Sequence, residues 1–251
     1  CEVIGLQNPK ILIPKKGIIK KLTTYVPVNN SELLRNALFN AGAGNIGNYE
    51  NCSFNTLGDG TFKGNKDANP VIGEIGKLHT EKETKISVIF ETKNEAAILK
   101  ALQENHPYEE VAYEIITTEN VHQHIGMGMI GELPKEMDEV AFLTYLKKIM
   151  KTDCVRHSAL INKKIKKVAV LGGSGSFAIS NAKRAGADAY VSADFKYHEF
   201  FKAENSILLA DIGHYESEQF TKNLLVDYLT KKISNFAVIL SEKSTNPIYY
   251  I

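Results

Sequence analysis

Leu208-Leu209-Ala210-Asp211-Ile212-Gly213-His214-Tyr215-Glu216-Ser217-Glu218 is the stretch on which the second half of the chain turns. Three apolar residues lead into an acid, a glycine and a histidine, and a further acid, Glu218, follows four residues after that histidine. The pattern predicts a strand ending near Ile212 and a helix beginning near Tyr215. His214 and Glu218 then lie one turn apart on one side of the helix start. An imidazole and a carboxylate placed that way can hold a divalent ion. Two ligands are too few for a tight site, and a His–Glu spacing of four is common. The surroundings must decide.

Upstream, Lys167-Val168-Ala169-Val170-Leu171 reads as a buried strand and Gly172-Gly173-Ser174-Gly175-Ser176 as a turn. A short helix over 178–185 is stopped by Gly186, and Ala189-Tyr190-Val191-Ser192-Ala193 is a strand ending at Asp194. A helix carrying Phe200, Phe201 and Ala203 follows. After the opening stretch, a helix is expected to bury Phe220, Leu224, Leu225, Tyr228 and Leu229. Phe236-Ala237-Val238-Ile239-Leu240 is the last regular segment. Strand and helix alternate, which predicts an α/β unit with a largely parallel sheet. Nearer its start, Gly126, Gly128 and Gly131 predict a loop or short strands, Asp138 opens a helix with Phe142 and Leu146, and 155–159 reads as a strand.

The first half reads differently. Leu22-Thr23-Thr24-Tyr25-Val26-Pro27 is β-rich, and Asn30-Ser31-Glu32 caps a helix with Leu33, Leu34, Ala37, Leu38 and Ala41 on its apolar face. A strand-like 51–56 runs into the turn Gly58-Asp59-Gly60. Lys85-Ile86-Ser87-Val88-Ile89-Phe90 is a strand, Asn94 caps a helix carrying Ile98 and Leu102, and 111–116 is a last strand. The order β-α-β-β-α-β predicts a ferredoxin-like α+β domain. The expected division is 1–20 as a linker or the end of something earlier, 21–120 as the ferredoxin-like domain, and 121–251 as the α/β part. The chain opens at Cys1 without methionine, which reads as a start in mid-protein.

The composition is that of a globular protein: 251 residues, 43% hydrophobic and 24% charged, enough for two domains. A net charge of +1 gives no global field for nucleic acid. Three scattered cysteines, without a CxxC pair, point to a reduced, cytoplasmic protein. No apolar run reaches membrane-spanning length.

Asp194 and Asp211 both follow strands, with His198 and Glu218 in the following turns. Ligands of parallel sheets collect beyond strand carboxyl ends, so Asp194, His198, Asp211, His214 and Glu218 can face one cleft. For any one of them, a helix cap or a solvated surface residue is an equally good reading. The 172–176 turn can cradle an anion with its backbone amides. It also imitates a dinucleotide fingerprint: Gly173, Gly175 and Ala178 fit G-x-G-x-x-A, with Asp194 at the end of the next strand. A nicotinamide-dependent enzyme is therefore a competing expectation, weakened by the shortness of the helix. His106 is expected to be structural. His122 and His124 share a strand face and could bind a metal, although such a pair is more often simply polar.

Taken together, residues 168–176, 187–198 and 211–218, with Asn246-Pro247-Ile248, resemble the C-terminal half of the NIF-three-like dinuclear-metal-centre family, whose members carry the label GTP cyclohydrolase I type 2 homologue. Gly42-Ala43-Gly44-Asn45-Ile46-Gly47-Asn48-Tyr49, with Gly64, Asn69-Pro70 and Ile72-Gly73, resembles the PII/CutA-like domain inserted in the longer members. The resemblance implies two divalent metal ions (zinc, iron, manganese or similar), with His214 and Glu218 as metal ligands. The family's other ligands, two adjacent histidines and an aspartate, belong to an N-terminal half that has no counterpart in this sequence. The expectation is thus a partial chain carrying half a site. The chemistry implied is hydrolysis by a metal-bound hydroxide on an unidentified nucleotide or phosphoester substrate, with His198 as acid/base and Gly173, Ser174 and Asp194 binding substrate. A ring-like homo-oligomer such as a hexamer is implied as well. The alternative is a PII-like regulatory scaffold responding to a metal or nucleotide.

Overall fold

The computed structural model describes residues 1–249 and 251. The chain forms two compact units: residues 15–123, and residues 1–14 together with 124–251. The short apolar pieces at the start are structured. Gln7–Pro14 is a strand, β1, of the second of these units.

The 15–123 unit contains β2 (Ile19–Pro27), α1 (Ser31–Asn40), β3 (Phe54–Phe62), β4 (His79–Glu91), α2 (Glu95–Asn105) and β5 (Tyr113–Thr117). All its pairings are antiparallel and the sheet order is β3-β4-β2-β5, the split βαβ arrangement. Leu34 and Leu38 of α1 and Ile98 and Leu102 of α2 recur at the helical repeat, so each helix turns one stripe inward. They close on Leu22, Val26, Ile86, Val88 and Phe90 from β2 and β4. One expectation is corrected. Gly58-Asp59-Gly60 is not a turn, because β3 runs through it, paired with β4 from Phe54 opposite Ser87 to Phe62 opposite His79. A continuous ladder satisfies the backbone groups and outweighs the entropic cost of two glycines.

The other unit is built on a six-stranded sheet. With β1 it comprises β6 (Gly126–Asp138), α3 (Glu139–Ile149), β7 (Arg156–His157), β8 (Lys164–Ser174), α4 (Ile179–Arg184), β9 (Ala189–Ala193), β10 (Leu208–Asp211), α5 (His214–Glu218) and α6 (Thr221–Lys232). The order is β1-β6-β8-β9-β10-β7. Only β8–β9 and β9–β10 are parallel; the flanking pairs are antiparallel, so the sheet is mixed rather than largely parallel. The difference arises at Gly126–Asp138, where the expected loop or short strands are one long strand between β1 and β8. Central strands are buried on both faces, hence their continuous apolar runs. Val168, Val191, Leu208 and Ala210 meet Phe142 and Leu146 of α3 on one face, while Ala169, Tyr190 and Leu209 meet Ile179 and Ala182 of α4 on the other.

A second correction concerns α6. Phe220, just before it, packs against the core, but Leu224, Leu225, Tyr228 and Leu229 are exposed, and α6 itself contains no buried residue. Residues 236–240 form no strand. Apolar periodicity shows that a helix has an apolar face; it does not identify what covers that face. The segment with Phe200 and Phe201 is a 3-10 helix, Tyr197–Ala203. Among the described residues no helix is long and apolar enough to cross a membrane, and all three cysteines are free.

Candidate functional site

The carboxyl ends of β8, β9 and β10 come together, and the segments leaving these three strands build one cleft. At the end of β10, Asp211 is buried. Its Oδ2 accepts from the Phe195 N–H at 2.9 Å and pairs with the Arg156 guanidinium, and its Oδ1 accepts from the Gly213 N–H at 3.0 Å. Asp211 therefore ties the loop after β9 to the loop after β10. It is a clamp beneath the cleft and not a group within it.

The clamp sets Asp194 and His214 face to face. The His214 Nδ1–H donates to Asp194 Oδ2 at 2.6 Å, and His214 Nε2 lies 3.4 Å from Glu218 Oε2, across one turn of α5. All three side chains are about half exposed, at 47%, 46% and 52%. The hydrogen bond to Asp194 raises the pKa of the imidazole above its ordinary value; the Asp194 and Glu218 charges add to this, and partial burial opposes it.

Beneath them lies the end of β8. Gly173 has φ +71°, and a Cβ there would stand 2.6 Å from Glu218 Oε1 and 3.4 Å from His214 Cε1. Only glycine fits this position. The Gly173 N–H donates to Ser217 Oγ at 2.7 Å, and the Ser217 hydroxyl donates to the His214 carbonyl at 2.8 Å. The Ser192 hydroxyl donates to the carbonyls of Leu171 and Gly173, and the Tyr190 hydroxyl to that of Gly175. Burial pushes the Tyr190 phenol up to about 12, so it remains a donor. This arrangement disfavours the dinucleotide reading, because a carboxylate packed on the glycine of the would-be fingerprint repels a pyrophosphate.

The far wall comes from the end of the chain. Asn246 Nδ2 donates to Oε1 of the buried Glu216 at 2.9 Å and fixes the 241–248 segment against α5. A cavity of about 550 Å³ results, lined by His214, Tyr215, Glu218, Lys222, Lys243 and Asn246 among others. The Lys222 ammonium donates to the Ser241 carbonyl.

Of the residues singled out in the sequence, Gly173, Asp194, His214 and Glu218 are brought together. Ser174 is exposed at the end of β8, paired with Ala193. His198 is exposed on the 3-10 helix and does not line the cavity. His106 is buried and structural: Nε2–H donates to the Tyr25 carbonyl and Nδ1 accepts from the Tyr108 N–H. His122 lies beside Glu91, 3.4 Å from its carboxylate. Arg156, Lys222 and Lys243 have no sequence signal beyond their residue types, and Ser217 is marked only by its place in the 211–218 segment. Among the described residues no group of three His, Cys, Asp or Glu side chains is arranged to hold a metal ion.

Comparison with known proteins places these features in company. The model of the family Duf34/NIF3 (NGG1p interacting factor 3) matches residues 2–247. The GTP cyclohydrolase 1 type 2 homolog of Bacillus subtilis is 35% identical, the match covering 100% of this chain and 69% of that protein. The protein of the same name from Listeria innocua is 36% identical over 92% of this chain and 63% of its own length. Among solved structures, a Bacillus cereus protein related to NIF3 superposes with a TM-score of 0.78 at 35% identity, covering 100% of this chain and 68% of that one. Staphylococcus aureus protein SA1388 gives 0.72 at 26% identity, covering 100% and 66%. The chain thus spans about two-thirds of the length of the relatives it matches.

Proposed function

This chain belongs to the Duf34/NIF3 family, and from that premise we propose that it binds divalent metal through His214 and Glu218 and serves metal-assisted hydrolysis of an anionic substrate, of the nucleotide or phosphoester class. One observation carries the reading: Asp194 accepts a hydrogen bond from His214 Nδ1–H, which turns the other ring nitrogen, Nε2, toward Glu218. A carboxylate that fixes the tautomer of a ligating histidine in this way is the usual second partner of a metal site. The donor set also fits. Two ligand atoms each about 2.1 Å from one ion, at a near-tetrahedral angle, stand roughly 3.4 Å apart, which is the separation of Nε2 and Oε2. Nitrogen and carboxylate oxygen suit zinc, iron(II) or manganese. The remaining ligands, and a second ion, would be held by the part of the family protein that this chain does not span.

A bound divalent ion would supply Lewis-acid activation of the scissile group and of water. Residues of this chain would do the rest. Asp194 holds the imidazole in register. Lys222 and Lys243 give the cleft a cationic wall for phosphate-like oxygens. Ser217 fixes the Gly173 amide and keeps the cleft floor rigid. His198, exposed on the 3-10 helix after β9, is the candidate acid/base. Self-association into a ring-like homo-oligomer belongs to the same proposal. Edge strand β3 offers it a route, with Phe54 and Leu57 exposed on an unpaired edge.

Equilibrium dialysis of the chain against zinc or manganese, followed by elemental analysis, tests the metal reading. His214→Ala and Glu218→Gln should each abolish or weaken binding at least 10-fold, and Asp194→Asn should weaken it roughly 10- to 100-fold. Unchanged metal content in His214→Ala would sink it. A panel of phosphodiesters and cyclic nucleotides, assayed with and without metal, then tests the reaction class. A second reading, ligand-responsive regulation, is favoured by a separate cavity in the 15–123 unit.

A further inference from the structure

That cavity measures about 710 Å³, within the range of small-molecule sites. Its walls are mainly apolar, from Leu57 and Phe62 of β3 and Pro70, Val71 and Ile72 of the following loop. Its distinctive group is Glu83, on β4. That side chain is only 9% exposed, yet it lines the cavity. A carboxylate so deeply buried needs donors. The Tyr108 hydroxyl supplies one, to Oε1 at 2.8 Å. Tyr108 is itself held: its backbone N–H donates to His106 Nδ1 at 3.1 Å, and its ring meets Phe62 edge-on at 5.7 Å. The other oxygen, Oε2, lies over Gly60, where a Cβ would fall 2.2 Å away. Any side chain at position 60 would collide with the carboxylate.

The charge around the cavity has a definite sign. Four carboxylates line it (Asp59, Glu83, Glu109, Glu110) against two ammonium groups (Lys63, Lys85), and with Asp59 paired to Lys82 at 2.7 Å three carboxylates still outnumber the two. Of the two, Lys85 lies over the Tyr25 ring at 5.8 Å. The loop that roofs the cavity is tied down from the same acidic side, the Asn69 N–H donating to Glu109 Oε2 at 3.1 Å. Phosphates would meet repulsion here. A flat apolar body carrying N–H donors and a positive charge would meet complementary walls and a preorganised acceptor.

We propose that this cavity binds a planar organic cation of the amidinium or protonated aminoheterocycle class. Its N–H groups engage the Glu83 carboxylate and its flat faces lie among Leu57, Phe62 and Val71. The proposal is independent of the metal cleft and opposes a nucleotide-phosphate ligand for this unit.

Isothermal titration of the full chain with benzamidine tests it, with benzoate as a control of equal size and opposite charge. Saturable one-to-one binding of benzamidine is expected, with no binding of benzoate. Glu83→Gln should weaken benzamidine at least 10-fold. Glu110→Lys, an exposed change at the rim that leaves the core alone, should weaken it several-fold at low salt. If Glu83→Gln fails to fold by circular dichroism, the rim variant decides. Absence of saturation, equal binding of benzoate, or unchanged affinity in the folded variants would overturn the proposal. So would an affinity that falls as protein concentration rises, since that would show a second copy filling the cavity.

Discussion

The His214 cleft and the Glu83 cavity each pair a carboxylate with a ring, and they differ in where the burial lies. In the cleft, Asp194, His214 and Glu218 are half exposed, and the buried carboxylate, Asp211, sits underneath as scaffolding. In the cavity, the recognition group itself, Glu83, is the buried one, and the exposed acids stand at the rim. An open site can let an ion complete its coordination with water or further ligands. A site whose acceptor is itself buried has fixed that acceptor in advance and selects on shape and charge.

The largest expected effect separates Asp211 from Asp194, two aspartates that follow neighbouring strands. Asp211→Ala removes the acceptor of two backbone amides and of the Arg156 guanidinium. It should cost about 3 kcal/mol or more of unfolding free energy. Asp194→Asn, which keeps a residue type that tolerates the left-handed backbone of this position (φ +60°), weakens one solvent-screened contact and should cost less than about 1 kcal/mol, while metal affinity falls. Urea denaturation of the two variants checks both. Equal costs would mean that the cleft is not an open site on a buried clamp.

A smaller effect is expected at Gly173. Gly173→Ala puts a methyl group against the Glu218 carboxylate at a left-handed backbone position. The backbone penalty alone is about 1–2 kcal/mol, and Glu218 must move as well. The melting temperature should drop and metal uptake with it. Retention of both would show that Glu218 is not confined by the end of β8, and the cleft would then be looser than its hydrogen bonds suggest.

These two residues also mark how far the sequence could be read. The helices α1, α2 and α3 and the strands β8 to β10 were legible because their apolar repeat is a local property. Strand β3 through Gly58 and Gly60, and strand β6 through its three glycines, were not, because the partners that stabilise them lie elsewhere in the chain. The apolar stripe of α6 was visible, but its exposure was not. In the cleft, their spacing marks His214 and Glu218 as a possible ligand pair, and its place after a strand marks Asp194 as a residue that can face substrate. That it accepts the hydrogen bond of His214 Nδ1–H depends on the separation of two strand ends, which no local pattern encodes. The tie between Glu216 and Asn246 spans 30 residues; the resemblance covers both segments, but nothing in the sequence pairs them.

The smallest effect belongs to the site with the buried acceptor and is a pH dependence. His106 is buried behind Tyr108, and desolvation lowers its pKa below the ordinary 6.5, against the pull of the Tyr25 carbonyl and the Glu83 charge. Its direction is opposite to that of His214 in the open cleft. A histidine depressed in the folded state binds fewer protons there than in the unfolded chain. Its contribution to stability is therefore complete above pH 6.5 and declines as the pH falls from there toward the lower folded-state value. Melting curves at about pH 7.5 and 5.5, either side of the ordinary histidine value, should show the wild type losing more stability on acidification than His106→Gln, which carries no titrating ring. An equal loss would mean that water reaches His106, and the wall behind Tyr108 and Glu83 would then be as open as the cleft around His214.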